Sequence, residues 1–229
     1  KNFFNSFYKS GVPGFFAGLI LGFGFAAYVF AMYYTTVANT LFIITTETIF
    51  LAFFGYIFLK EKISLITFIS ILLGMSGVLL ILGSSLSIQT SEQFLGNIVA
   101  FAMPVSFAVL VITVRKFPKT DMVPAQATAG IVAALIGYLV AGKLSISSHD
   151  IFLGFIAGTF QLGFGFVLIT IGSQNTPAAV VGIMMLTEAV LGPIWAWLFL
   201  NEIPPTSVVL GGGIIIFAIL FEFFLSKKA

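Results

Sequence analysis

The sequence has no cysteine and one histidine in 229 residues. Without cysteine there is no disulfide framework, no thiol nucleophile and no thiolate-held metal. His149 lies in the polar stretch "SISSHD", outside every long apolar run, so it reads as a solvated loop residue. Charge is scarce too. Only 8% of residues are Asp, Glu, Lys or Arg, against about a quarter in a soluble domain. Hydrophobic residues make up 59%, and the mean hydropathy is +1.15. A chain of this length cannot hide so much apolar surface in one aqueous core, so it belongs in a bilayer. The net charge of +2 gives no reason to expect a nucleic-acid partner. No cofactor and no metal site are expected. The opening "KNFFNSFYKS" starts with Lys rather than Met and is too polar for the apolar region of a signal peptide.

Apolar runs of about 20 residues follow one another, separated by short polar or Gly/Pro/Ser-rich turns. They lie near 14–34, 37–59, 64–83, 94–114, 122–141, 151–173, 177–200 and 206–225. The pattern predicts an all-α polytopic membrane protein with eight transmembrane helices here. The runs are continuous rather than alternating, which excludes a transmembrane β-barrel. With loops numbered alternately, Lys1, Lys9, Lys60, Lys62, Arg115, Lys116, Lys119, Lys227 and Lys228 fall on one side, and only Lys143 on the other. By the positive-inside rule the first side is cytoplasmic, and with it the C-terminus. The expected location is the inner (plasma) membrane.

The chain repeats itself at a shift of 141 residues. "LGFGF" at 21–25 recurs at 162–166, "TE" at 46–47 recurs at 187–188, and "FLKE" at 58–61 recurs as "FLNE" at 199–202. The copies are an odd number of spans apart, so they cross the membrane in opposite senses, as in many secondary transporters. The second copy has two helices before its "LGFGF" span whose counterparts would precede residue 14. The expectation is a ten-helix, five-plus-five inverted repeat, with residues 1–90 holding three helices of the first repeat and residues 91–229 the whole of the second.

Glu47 and Glu188 are the only ionisable residues near a span centre. A carboxylate there is expensive and must face a protein or water interior. Two readings stand: a substrate-binding or proton-coupling pair in a central cavity, or two internally bonded acids that lock helix packing, with Thr45 or Thr46 as partners for Glu47. Asn39, Thr40 and Gln161 are further candidates for a cavity wall, as are Asn97, Ser106, Gln126 and Thr128. Tyr28, Trp195 and Trp197 could supply aromatic surface. Glu61 and Glu202 lie fourteen residues beyond the central acids, about 21 Å along a helix, and are read as interface anchors or part of a gate. Lys60 or Lys62 could compensate Glu61. Glu222 is expected to snorkel toward Lys227 and Lys228. The "GFGF" glycines are mid-span, so they read as close helix packing rather than phosphate binding.

The doubled pattern T-x-x-A … T-E … F-L-x-E, in "TTVANTLFIITTETIFLAFFGYIFLKEKIS" and "TPAAVVGIMMLTEAVLGPIWAWLFLNEIPP", resembles the drug/metabolite transporter superfamily in its EamA-type ten-helix branch. The resemblance implies a central cavity between inverted halves. It also implies alternating-access transport, usually export, of small metabolites such as amino acids. The expected partners are a small-molecule substrate and the lipid bilayer, with a proton and a second copy of the chain as candidates. Flipping of lipid or amphipathic compounds and a non-transporting scaffold are the alternatives. An intramembrane enzyme would need a nucleophile–base pair or metal ligands at one depth. The spans contain neither, so no enzyme activity is expected.

Overall fold

The computed structural model describes residues 3–83, 86, 90–141, 146–201 and 203–226. Its helices, in chain order, are α1 (Phe3–Tyr34), α2 (Val37–Thr45), α3 (Glu47–Leu59), α4 (Leu65–Leu82), α5 (Ser91–Ala100), α6 (Ala102–Lys116), α7 (Pro124–Val140) and α8 (Ser148–Ile156). A segment wound with wider, i→i+5 turns (Ala157–Phe164) follows, then α9 (Gly165–Ser173), α10 (Ala178–Met185), α11 (Thr187–Leu200) and α12 (Thr206–Leu225). No strand occurs among the described residues. This is an all-α polytopic membrane protein.

Several expected spans are built from two helices end to end, which is why the helices outnumber the spans. Seven stretches are long and apolar enough to cross a bilayer, rather than the eight expected. The remaining one, α7, has 17 residues, or about 26 Å at 1.5 Å per residue, just short of a hydrocarbon core of about 30 Å. The breaks have local causes. Thr45 donates to the Phe42 carbonyl at 2.7 Å and Thr46 to the Ile43 carbonyl at 2.5 Å. Such back-bonding competes with the helical ladder and bends it. Thr187 donates in the same way to the Met184 carbonyl. Pro104 has no N–H to offer the Ala100 carbonyl, and the helix restarts at Ala102. In α1 the backbone turns at Gly11 (φ 57°, ψ −161°), a conformation that glycine adopts without penalty.

The helices pack in pairs. α1 lies along α7 and α6, α4 along α12, and α3 against α10 and α6. Contacts between small residues set the closest approaches. A β-carbon on Gly18 would fall 2.4 Å from the Ala125 carbonyl oxygen, and one on Gly22 would fall 2.7 Å from that of Ala129. The contact order, 18 to 125 then 22 to 129, makes α1 and α7 parallel. On α4 and α12, Gly77 meets Gly211 while Thr67 meets Glu222, so that pair is antiparallel. Both directions agree with the alternation read from the loops. Large apolar side chains such as Phe53, Tyr56, Leu65 and Phe224 are exposed around the bundle, as a lipid-facing surface requires.

Candidate functional site

Glu47 and Glu188 line one cavity of about 1310 Å³. The repeat places them alike: Glu47 opens α3 and Glu188 stands in the first turn of α11, each just beyond a break, at Thr46 or at Leu186. A carboxylate in a first helical turn faces the positive end of the helix dipole. That accounts for an acid at this depth better than a hydroxyl partner does. Thr45 and Thr46 spend their hydroxyls on their own backbone. Thr48 donates across to the Gly182 carbonyl at 3.0 Å and joins α3 to α10. Glu47 is 4% exposed, and no described residue holds its carboxylate by a hydrogen bond or ion pair. Glu188 and Tyr28 line the same cavity as Glu47.

The rest of the wall comes from α1, α6, α7 and the wide-turn segment. Tyr28, Gln126 and Gln161 add polar groups, and Phe25, Phe107 and Phe166 add aromatic surface. The rings of Phe25 and Phe107 meet Phe166 edge-on, with centroids 5.0 and 5.9 Å away. Gln126 donates from Nε2 to Thr170 Oγ1 at 2.8 Å, leaving its buried Oε1 without a partner. Gln161 lies in the wide-turn segment, no residue of which is buried. Wider turns of this kind concentrate at functional sites.

Other residues singled out from the sequence lie elsewhere. Asn39 donates to Thr35 Oγ1 at 3.1 Å and to Asn97 Oδ1 at 3.2 Å, and Thr35 donates to Asn97 at 2.6 Å. This knot ties α1 and α2 to α5. Thr40 is buried and donates to the Thr36 carbonyl. Trp195 is half exposed and stacks on Phe199. Glu202 lies outside the described residues. Ser106 and Thr128 donate to the Ala102 and Pro124 carbonyls of their own helices.

Glu61 is compensated by neither Lys60 nor Lys62. Its Oε1 accepts from Arg115 through Nε at 3.0 Å and through a second guanidinium nitrogen. Its Oε2 accepts from the backbone N–H of Ala178 at 2.8 Å, and Arg115 also donates to the Gln174 carbonyl at 3.2 Å. One carboxylate thus joins the α3–α4 loop, the end of α6 and the start of α10. Helix-ending charges reach across the bundle because the helices converge there. Arg115 enters the sequence only as a loop charge, and spacing gives no sign of its partner. Glu222 is also relocated. It is 1% exposed and accepts from Thr67 at 2.9 Å rather than reaching outward.

The cavity has one closed end. Its wall runs from Gln126, near the start of α7, to Tyr33 and Tyr34 at the end of α1 and Ala141 after α7. It includes nothing from 60–63, 115–123 or 174–177, which hold the Glu61–Arg115 contact and most of the described basic residues. The cavity thus lies toward the end opposite the basic loops, and the Glu61–Arg115 contact stands outside its wall.

Residues 5–83 and 91–224 match the EamA-like transporter family. The chain belongs to this family. Among curated relatives of this EamA-like protein is an uncharacterized transporter of Clostridium kluyveri, 26% identical over 212 residues, covering 87% of this chain and 68% of that protein. An S-adenosylmethionine uptake transporter of Rickettsia felis is 27% identical over 216 residues, covering 93% of this chain and 71% of the relative. A solved crystal structure superposes with a TM-score of 0.74 at 15% identity, covering 97% of this chain and 92% of that one. It shares the fold.

Proposed function

We propose that the protein is a secondary transporter that carries small metabolites across the inner membrane by alternating access. The observation that carries this reading is the cavity itself. Both Glu47 and Glu188 line it, and its wall stops short of the end that holds the Glu61–Arg115 contact. A rigid scaffold would have a filled interior with both acids bonded, whereas Glu47 has no such partner here. Two halves, 1–90 and 91–229, rock about the site. The same local geometry recurs at the repeat spacing in their support: Lys60 and Asn201 end their helices at φ 56° and 55°, and their N–H groups bond to Gly55 and Ala196. The basic loops face the cytoplasm, as does the C-terminus, so the cavity opens outward. The resemblance favours export, while the rickettsial relative is named for uptake; flux in both directions separates the two.

In proteoliposomes holding the full-length protein, Glu188→Gln is expected to lower substrate flux at least tenfold or to abolish its dependence on a pH gradient, with Glu47→Gln similar. Unchanged flux in the double variant would remove the carboxylates from the mechanism.

A further inference from the structure

We infer that the cavity selects organic cations, specifically protonated amines with an aromatic or apolar body and no free carboxylate. This inference rests on the transporter reading and narrows its substrate class. Among the described residues, the charged side chains that line the cavity are of one sign: Glu47 and Glu188 are acids, and no described Lys, Arg or His lines the wall. A substrate carboxylate would find no cationic partner among these residues and would lie against two acids, an arrangement that selects against it.

The hydrogen-bonding inventory points the same way. No described residue donates to the Glu47 carboxylate, and Glu47 lines the cavity, where a ligand can reach it. Gln126 Oε1 is buried without a donor as well. An unmade bond at a buried acceptor is a penalty that a ligand can relieve. Acceptors of this kind suit N–H groups, which an ammonium supplies three at a time. The body of the ligand meets rings. Phe25, Phe107 and Phe166 form an edge-on cluster, and Tyr28 and Phe30 extend it along α1. Such faces attract a cation and bury flat apolar groups. The wall therefore offers acceptors, negative charge and ring faces together.

The test is a matched series on the full-length protein: phenethylamine, phenylalanine and 3-phenylpropionate. They share one body and differ in which charges they carry. Equilibrium binding of each radiolabelled compound in detergent is expected to favour phenethylamine at least tenfold over both others. Glu188→Gln and Glu47→Gln should each remove that preference, while Glu188→Asp keeps it. Monodispersity in size-exclusion chromatography certifies that each variant folds. Equal or tighter binding of phenylalanine or 3-phenylpropionate overturns the inference, as does binding of none of the three, or a preference that survives Glu47→Gln/Glu188→Gln. Flux is measured separately in proteoliposomes. Phenethylamine that binds but never crosses would sink the transporter reading and leave the site's selectivity standing. Flux of amino acids without amine binding would do the reverse.

Discussion

Glu61 ties three parts of the bundle together: its own loop, the end of α6 and the start of α10. Three donors from two helices converge on it, and both it and Arg115 are 19% exposed, so the contact is shielded from bulk water without being fully desolvated. Removing one charge leaves the other half-buried and unpaired, a loss of about 1–3 kcal/mol. Glu61→Gln is therefore expected to loosen the closed end. The chain has no native cysteine, so a single Ser173→Cys probe can report this directly. Ser173 is buried close to Gln174, whose carbonyl Arg115 binds. Maleimide labelling from the basic-loop side should speed up about tenfold in the Glu61→Gln background, the factor that corresponds to about 1.4 kcal/mol. The sequence displayed Glu61 as an oddity because an acid at a helix C-terminus opposes the dipole. Its partner was illegible, since 54 residues separate Arg115 from it and only tertiary packing joins them. The same holds for Glu222 and Thr67.

At the scale of the element, the repeat was plain in the letters but its two copies do different work. Gly24 sits where a β-carbon would come within 2.7 Å of Ser106 Cβ, whereas its counterpart Gly165 has open space. The copies share a motif and not an environment, because the first "LGFGF" span packs on α6 and α7 while the second is wound more widely and stays exposed. Gly24→Ala is expected to destabilise the protein by about 1–3 kcal/mol through overpacking. Gly165→Ala should be neutral or mildly stabilising, since Ala is the better helix former by about 1 kcal/mol. Thermal denaturation of both variants in one detergent checks the pair. Equal shifts would show that the packing difference is not real. The breaks at Thr46 and Leu186 were hidden by the apolar runs around them. Hydropathy registers a span and is blind to where its hydrogen-bond ladder is interrupted; the threonines beside the acids were the available signal.

For the whole molecule, alternation of basic loops assigned residues to one end or the other, and the tertiary contacts agree. Arg115, the 60–63 loop and the start of α10 meet at one end. Thr35, Asn39 and Asn97 meet at the other. Helix directions were thus readable from ten charges. The cavity was only partly readable. Tyr28, Glu47, Gln161 and Glu188 reach its wall, but Asn39, Thr40 and Trp195 do not. Polar residues in a span mark either a cavity or a helix junction, and composition does not distinguish the two. The phenylalanines that make up much of the wall were invisible among the 28 in the chain.

The one-ended cavity also determines where the membrane voltage falls. Water in an open crevice carries the potential of its own side down to the depth of Glu47 and Glu188. The transmembrane field is then compressed into the packed layer between Gln126 and Glu61. A site halfway through a uniform field would change its affinity for a monocation about sevenfold per 100 mV, half of the roughly 2.3 kcal/mol per charge. A site at the foot of an open crevice barely senses it. Half-saturating concentrations measured from the open side, under imposed diffusion potentials, should therefore stay flat. In the proposed transport cycle the voltage would act instead on the step that breaks the Glu61–Arg115 contact and moves the bound charge through that layer.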